Sequence, residues 1–219
     1  MSELRRRRSV RLLALAGLAA LAACANGAQF VQVQRAPDQP LAIGRLAVVP
    51  FRAVERPGAP PLPDDAAPLV GGYVASAFEA RGLEVVPPSD VAQGLDLAIV
   101  PGEPLEVARV AAAAHEKFGV DAIVIGSVHR FVDRSGEAMG STHPASVGFE
   151  LRVLAAPSGA VLWAGAFDET QVALGDNLLR APQYPGGGMR WLTAEELARW
   201  GAGLVANQVP IARTAAANP

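Results

Sequence analysis

Short runs of consecutive apolar residues recur along the chain, and each is closed by a breaker. Leu46, Ala47, Val48 and Val49 end at Pro50, and Ala122, Ile123, Val124 and Ile125 precede Gly126; Leu83 to Val86, interrupted by Glu84, is a further short strand stopped by Pro87 and Pro88. Continuous apolar runs of this length suit strands buried on both faces. Between them the period lengthens. Leu69, Val70, Tyr73, Val74, Ala77 and Phe78 repeat at helical spacing after a Pro/Gly-rich loop over residues 56–63. Asp64 or Asp65 is placed to cap that helix, and Pro68 is tolerated in its first turn. Gly71 and Gly72 inside it cost about 1 kcal/mol each relative to alanine, and Gly82 closes it. Ser89 opens a short helix that ends at Gly94. After Pro104, Val107, Val110, Ala111, Ala114 and Phe118 share one helical face, while Glu106, Arg109, Glu116 and Lys117 lie away from it. Gly119 then stands where a left-handed C-cap is needed.

Beyond residue 140 the period shortens to two. Val147, Phe149, Leu151 and Val153 alternate with Gly148, Glu150 and Arg152, Pro157-Ser158-Gly159 supplies a turn, and Val161, Trp163 and Phe167 share one face of the next strand. That is a hairpin. A last helix is locally well specified: Thr193 and Glu196 form a capping box, with Leu192 and Leu197 as its hydrophobic staple. Leu197, Trp200, Leu204 and Val205 form its buried stripe, and Pro210 ends it. Early strands are joined by helices and late ones by turns. The order predicts one α/β (α+β) domain over residues 44–210, with a mixed sheet of about five strands and helices packed on it. Residues 211–219 are expected to be a disordered tail.

The start of the chain has a different character. Arg5, Arg6, Arg7, Arg8 and Arg11 precede a Leu/Ala/Gly stretch over residues 12–21, and Leu21-Ala22-Ala23 leads directly into Cys24, the single cysteine. The apolar stretch is far short of the roughly 20 residues that span a bilayer. The order basic, apolar, small residues, cysteine fits a cleaved lipoprotein signal over residues 1–23. Cys24 is then the lipid-attachment residue, and two or three acyl chains hold a protein far more firmly than one. By resemblance to proteobacterial lipoproteins, in which an Asp after the cysteine signals inner-membrane retention, Ala25 favours the outer membrane. Residues 24–43, rich in Gln, Pro, Asp and Asn, form the lipidated cysteine and its tether, with Phe30, Val31 and Val33 able to make a short docked strand.

Composition narrows the partners. The chain has 219 residues and a formal charge of −2; losing five arginines and one acid with residues 1–23 takes it to about −6. An acidic body argues against nucleic acid, which needs a basic face. With Cys24 acylated, no disulfide or thiol site remains.

Four segments in order carry a resemblance: RLAVVPF at residues 45–51, LEVVPPSDV at residues 83–91, KFGVDAIVIGSV at residues 117–128, and LRVLAAPSGAVLWAG at residues 151–165. Together with the lipobox they resemble the periplasmic α/β domain shared by penicillin-binding-protein activator lipoproteins, the curli secretion lipoprotein and the amino-terminal domain of the Tol–Pal translocation protein. The resemblance covers residues 44–170 and implies a non-enzymatic scaffold that binds an envelope protein. The long amphipathic hairpins of the curli channel have no equivalent here, and residues 171–192 have no counterpart in those families.

The chemistry-bearing residues are few. His115, His129 and His143 lack metal-ligand spacing, and are read as exposed loop and strand-end histidines. Ser127, Ser141, Ser146 and Ser158 lie in no Gly-x-Ser-x-Gly elbow. Gly186-Gly187-Gly188 lacks the Lys-Ser/Thr of a phosphate loop. Asp168 and Glu169, adjacent in a strand, point to opposite faces. No catalytic, cofactor or metal site is assigned. The candidate partner contacts are Asp168 and Gln171 at the end of the hairpin, and Tyr184, Met189 and Trp191 on the Gly/Pro loop; the alternative for that loop is that it folds over the sheet and completes the core. Three functions stay open: an anchored scaffold or activator in envelope assembly or peptidoglycan synthesis, a ligand-binding or enzymatic domain, and a subunit of a secretion or efflux assembly.

Overall fold

A computed structural model describes residues 30–96, 106–173 and 181–212. The proposed signal peptide, Cys24, Pro104 and residues 213–219 lie outside them. The elements in chain order are β1 (Val31–Arg35), β2 (Arg45–Val48), β3 (Arg52–Ala53), α1 (Ala66–Glu79), β4 (Glu84–Val86), α2 (Pro88–Gly94), α3 (Val107–Phe118), β5 (Ala122–Val132), β6 (Ser135–Glu137), β7 (Gly140–His143), β8 (Ser146–Ala155), β9 (Val161–Thr170), a single 3-10 turn (Ala181–Gln183) and α4 (Ala194–Gln208).

The fold is the mixed α/β arrangement that the pattern predicts. The sheet runs β1-β9-β8-β5-β2-β4, with β3 beside β5 beyond the end of β2. β2 is parallel to β4 and β5, whereas β8, β9 and β1 join antiparallel. The sheet has seven strands instead of about five. One extra strand is β3, which resumes pairing with β5 after Pro50 and Phe51. The other is β1, which pairs along β9 from Val31 opposite Phe167.

The expected tether is therefore shorter than residues 24–43. Phe30, 2% exposed, already belongs to the folded body. Residues 211 and 212, expected in the tail, are paired as well. Leu41 forms a parallel bridge with Ile211, and Ala212 N–H donates to Leu41 O at 2.8 Å. Neither junction carries a strong local signal, because each is closed by a partner far away in the chain.

Each face of the sheet packs its own core. On the first face, Leu46, Val48, Val124, Val128, Phe149, Leu151, Val153, Trp163 and Phe167 meet α1 and α4 through Val70, Val74, Phe78, Leu197, Ala198 and Val205. On the second, Ala47, Val49, Ile123, Ile125 and Leu154 meet Val91 of α2 and Val110, Ala111 and Ala114 of α3. Burying such a side chain fully is worth about 1.5–3 kcal/mol. The two cores explain why the early strands are apolar without a break and the late ones alternate.

Capping follows the sequence in places and departs from it in others. The Thr193–Glu196 capping box is present in both directions, and Gly119 is a left-handed C-cap with φ 65°. Asp65 occupies the N-cap of α1 without a side-chain bond, and α2 begins at Pro88 behind Pro87 rather than at a serine cap. Gly71 is not demanded by crowding: an added Cβ would lie 3.5 Å from the Phe51 ring, an ordinary contact.

Candidate functional site

The two helices on the second face cover its β2–β5 side and, through Leu154 and Val161, only the turn end of β8 and β9. On β8 and β1, Glu150, Arg152, Gln32 and Gln34 stand exposed, and among the described residues no helix lies over them. Where covered and open halves meet, a groove of about 530 Å³ is cut into the sheet face. Its apolar part includes Val49, Val107 and Ile125, and its polar part is Gln34, Arg52, Ser127, Glu150 and Arg152. Ser127 Oγ donates to Glu150 Oε1 at 3.4 Å. Arg52 and Arg152 make no ion pair among the described residues, so two guanidiniums border an apolar floor.

Further along the same face, a β-bulge between Val128 and Arg130 interrupts the alternation of β5. It places His129 and Arg130 together against Asp168 of β9. His129 Nε2 donates to Asp168 Oδ2 at 3.2 Å, and Arg130 Nη2 donates to Asp168 Oδ1. Gly148 lies opposite Asp168 in the register and makes room for the imidazole; any Cβ there would overlap the His129 ring. His129 is thus 6% exposed, a packed residue inside a strand, where the pattern suggested an exposed strand end. Burial works against ionisation of Asp168, but the hydrogen bonds from Arg130 and His129 outweigh it and hold the carboxyl below its ordinary pKa.

This cluster holds itself together; the serines are engaged elsewhere. Ser146 Oγ and Thr170 Oγ1 share a bond at 2.6 Å, Ser141 donates to the carbonyls of Ser135 and His143, and Ser158 accepts from Ala160 N–H.

The five candidate partner contacts fall into three places. Asp168 lies half-exposed on the open sheet face. Tyr184 and Gln171 are each 2% exposed and internal, so neither is a surface contact. Tyr184 stacks with Phe30 and Trp200 at centroid distances of 5.8 and 5.3 Å, and its hydroxyl donates to the buried Glu169. Gln171 Nε2 donates to Arg190 O at 2.8 Å, and its Oε1 accepts from Leu192 N–H at 2.7 Å. Both stitch the Gly/Pro loop onto the sheet, which is the core-completing alternative. Met189 is exposed and Trp191 half-buried, at the end of the sheet where β5 and β9 finish. Sequence reasoning passed over Met139, at the tip of the β6–β7 hairpin, because a lone apolar residue between Ala138 and Gly140 has no periodicity to mark it. The burial of Glu169 was legible from its spacing of two from Phe167.

Arg190 fixes the loop to the start of α4. Its Nη1 and Nη2 reach Glu196 Oε2 and Oε1, each at 2.8 Å. The Arg190 hydrogen bonds, against the opposing effect of burial and with help from Thr193 N–H, pull the Glu196 carboxyl from 4.5 to about 2. A lowered carboxylate pKa stabilises the fold above the unfolded value, and that contribution disappears as pH falls from about 4.5 toward 2. Glu196→Gln should therefore flatten the acid limb of the stability profile, while costing at most about 1 kcal/mol at pH 7 because the pair is partly exposed. Urea titrations of both proteins at pH 7 and pH 3 measure this; equal losses at the two pH values would refute it.

These features define the chain as a mixed α/β domain whose sheet is covered on one face and half-open on the other, with no grouped catalytic set among the described residues. No family model and no curated protein sequence matches it. Solved structures do. The PelC dodecamer from Paraburkholderia phytofirmans is similar over 84% of this chain and 98% of its own, at 14% identity and a TM-score of 0.50. A lipoprotein from Neisseria meningitidis is similar over 62% of this chain and 90% of its own, at 17% identity and a TM-score of 0.42. The LpoB C-terminal domain from Escherichia coli is similar over 60% of this chain and 86% of its own, at 15% identity and a TM-score of 0.38. The first of these shows a shared fold.

Proposed function

We propose that this is a lipid-anchored envelope protein, held at Cys24 in the outer membrane and facing the periplasm, whose folded body binds a protein partner in envelope assembly or peptidoglycan synthesis. The observation that carries the reading is the groove of about 530 Å³ on the half-open sheet face, bordered by Arg52 and Arg152, which make no ion pair among the described residues. A groove with an apolar floor and cations at its border fits an acidic, partly apolar protein segment. What supports a non-enzymatic role is that Asp168 is held by both His129 and Arg130, so that this polar cluster satisfies itself.

The test is crosslinking in intact cells followed by pull-down, with the unaltered chain and with Arg52→Glu/Arg152→Glu. The unaltered chain should recover an envelope protein, and the reversed charges should lower its yield about tenfold or more, since each desolvated charge pair is worth on the order of 1.5 kcal/mol or above. Equal recovery by both proteins would remove the groove from the reading.

A second reading, a subunit of a larger secretion-type assembly, is favoured by one observation: the similar PelC structure is described as a dodecamer. Sedimentation of the purified protein separates the two. A closed oligomer favours the assembly, and a monomer favours the scaffold.

A further inference from the structure

The end of the sheet at which β1 begins carries a set of features that the scaffold reading leaves unused. Phe30 is clamped there, its ring 4.9 Å from Trp200 and 5.8 Å from Tyr184. Only five residues lie between it and Cys24, and the six extended steps from Cys24 to Phe30 reach about 20 Å. An acylated Cys24 therefore confines this end of the body to the vicinity of the bilayer. The opposite end, where Asp121 accepts from the backbone N–H groups of Gly44 and Arg45, lies a full strand length further away.

The two most exposed large apolar side chains among the described residues are at the tethered end. Met139 is 80% exposed and Met189 74%. They share a shallow hollow of about 250 Å³ with Val172 and Trp191. The hairpin tip and the loop are joined, since Trp191 N–H donates to Ala138 O at 2.8 Å. The loop is tied down again by Gln171 and by the Arg190–Glu196 pair. Residues 134–143 and 184–191 carry two arginines against one acid, so the rim does not repel a lipid surface.

We infer that this Met139–Met189 rim rests in the interfacial layer of the bilayer that holds the protein's own anchor, and so sets the orientation of the body. The inference rests on the anchoring reading above. Unbranched apolar side chains beside a half-buried indole are what the boundary between headgroups and acyl chains accepts. A second copy of the chain fits less well: eight residues line the hollow, against about 20–30 per side in a stable interface. With the rim down, the open sheet face and its groove stay clear of the membrane.

The experiment uses the full protein purified from membranes, its acylation at Cys24 verified by intact mass, and reconstituted in phosphatidylcholine vesicles. A photoreactive residue is placed at position 139, at position 189, or at position 84, which is exposed at the far end on β4. Irradiation should add one phospholipid at 139 and 189 at least about ten times more often than at 84. Lipid adducts at 139 and 189 no more frequent than at 84 would overturn the inference, as would adducts to a second copy, and in either case the anchoring reading would stand. A bare Cys24 would remove the anchoring reading and this inference with it.

Discussion

Exported behind an ordinary cleavable secretory leader with Cys24→Ala, the protein should move from the membrane fraction to the soluble one. The effect is expected to be large because it concerns the covalent anchor. Each buried methylene adds about 0.8 kcal/mol, a single acyl chain gives marginal binding, and two or three make release slow. Among the described residues no helix is long and apolar enough to cross a membrane. The rim contributes only a few side chains. Fractionation followed by immunoblotting should show the membrane-bound share falling by at least about a hundredfold. A variant that stays in the membrane pellet after a salt wash would sink the anchoring reading.

The largest expected loss of stability follows Phe167→Ala. Phe167 is fully buried on the first face of the sheet. Its ring lies 5.4 Å from Phe149 and meets Trp200 edge-on at 5.9 Å and 88°. It also carries β1, because Val31 pairs directly with it. Emptying such a site costs about 3–5 kcal/mol, a large part of the stability of an ordinary domain. The ring also accounts for Gly201 in the middle of α4: an added Cβ there would come within 2.7 Å of it. Gly201→Ala should therefore be costly alone and tolerated when Phe167 is already alanine. Denaturant midpoints for the two single variants and the double one measure the coupling. Additive losses would show that the helix glycine serves some other purpose.

How much was legible depended on the range of the interaction involved. The Thr193–Glu196 box and the Gly119 cap were readable because each is decided within one helical turn. The alternation in β8 and the unbroken apolar runs of β2 and β5 were readable because burial on one face or two writes itself directly into the residue pattern. The sense of Asp168 and Glu169 followed from the same period of two. By contrast, β1 was only hinted at by Phe30, Val31 and Val33, since four of its five residues are exposed and its partner lies more than 130 residues away. The bulge that turns His129 inward has no sequence mark, because Gly148, which admits the ring, sits on another strand. Tyr184 looked like a loop aromatic until Glu169 gave its hydroxyl a buried acceptor.

The amino-acid order alone determined the class of fold, the helix ends with their own caps, and which strands are apolar on both faces and which alternate. Each of these depends on neighbours within a few positions, where periodicity and capping chemistry act. Only the tertiary structure decided that β1 joins the sheet, that Tyr184 and Gln171 are internal, that Met139 and Met189 stand side by side, and that one half of a sheet face lies open. Those facts arise from segments distant in the chain meeting in space, and no local pattern encodes which of them will meet.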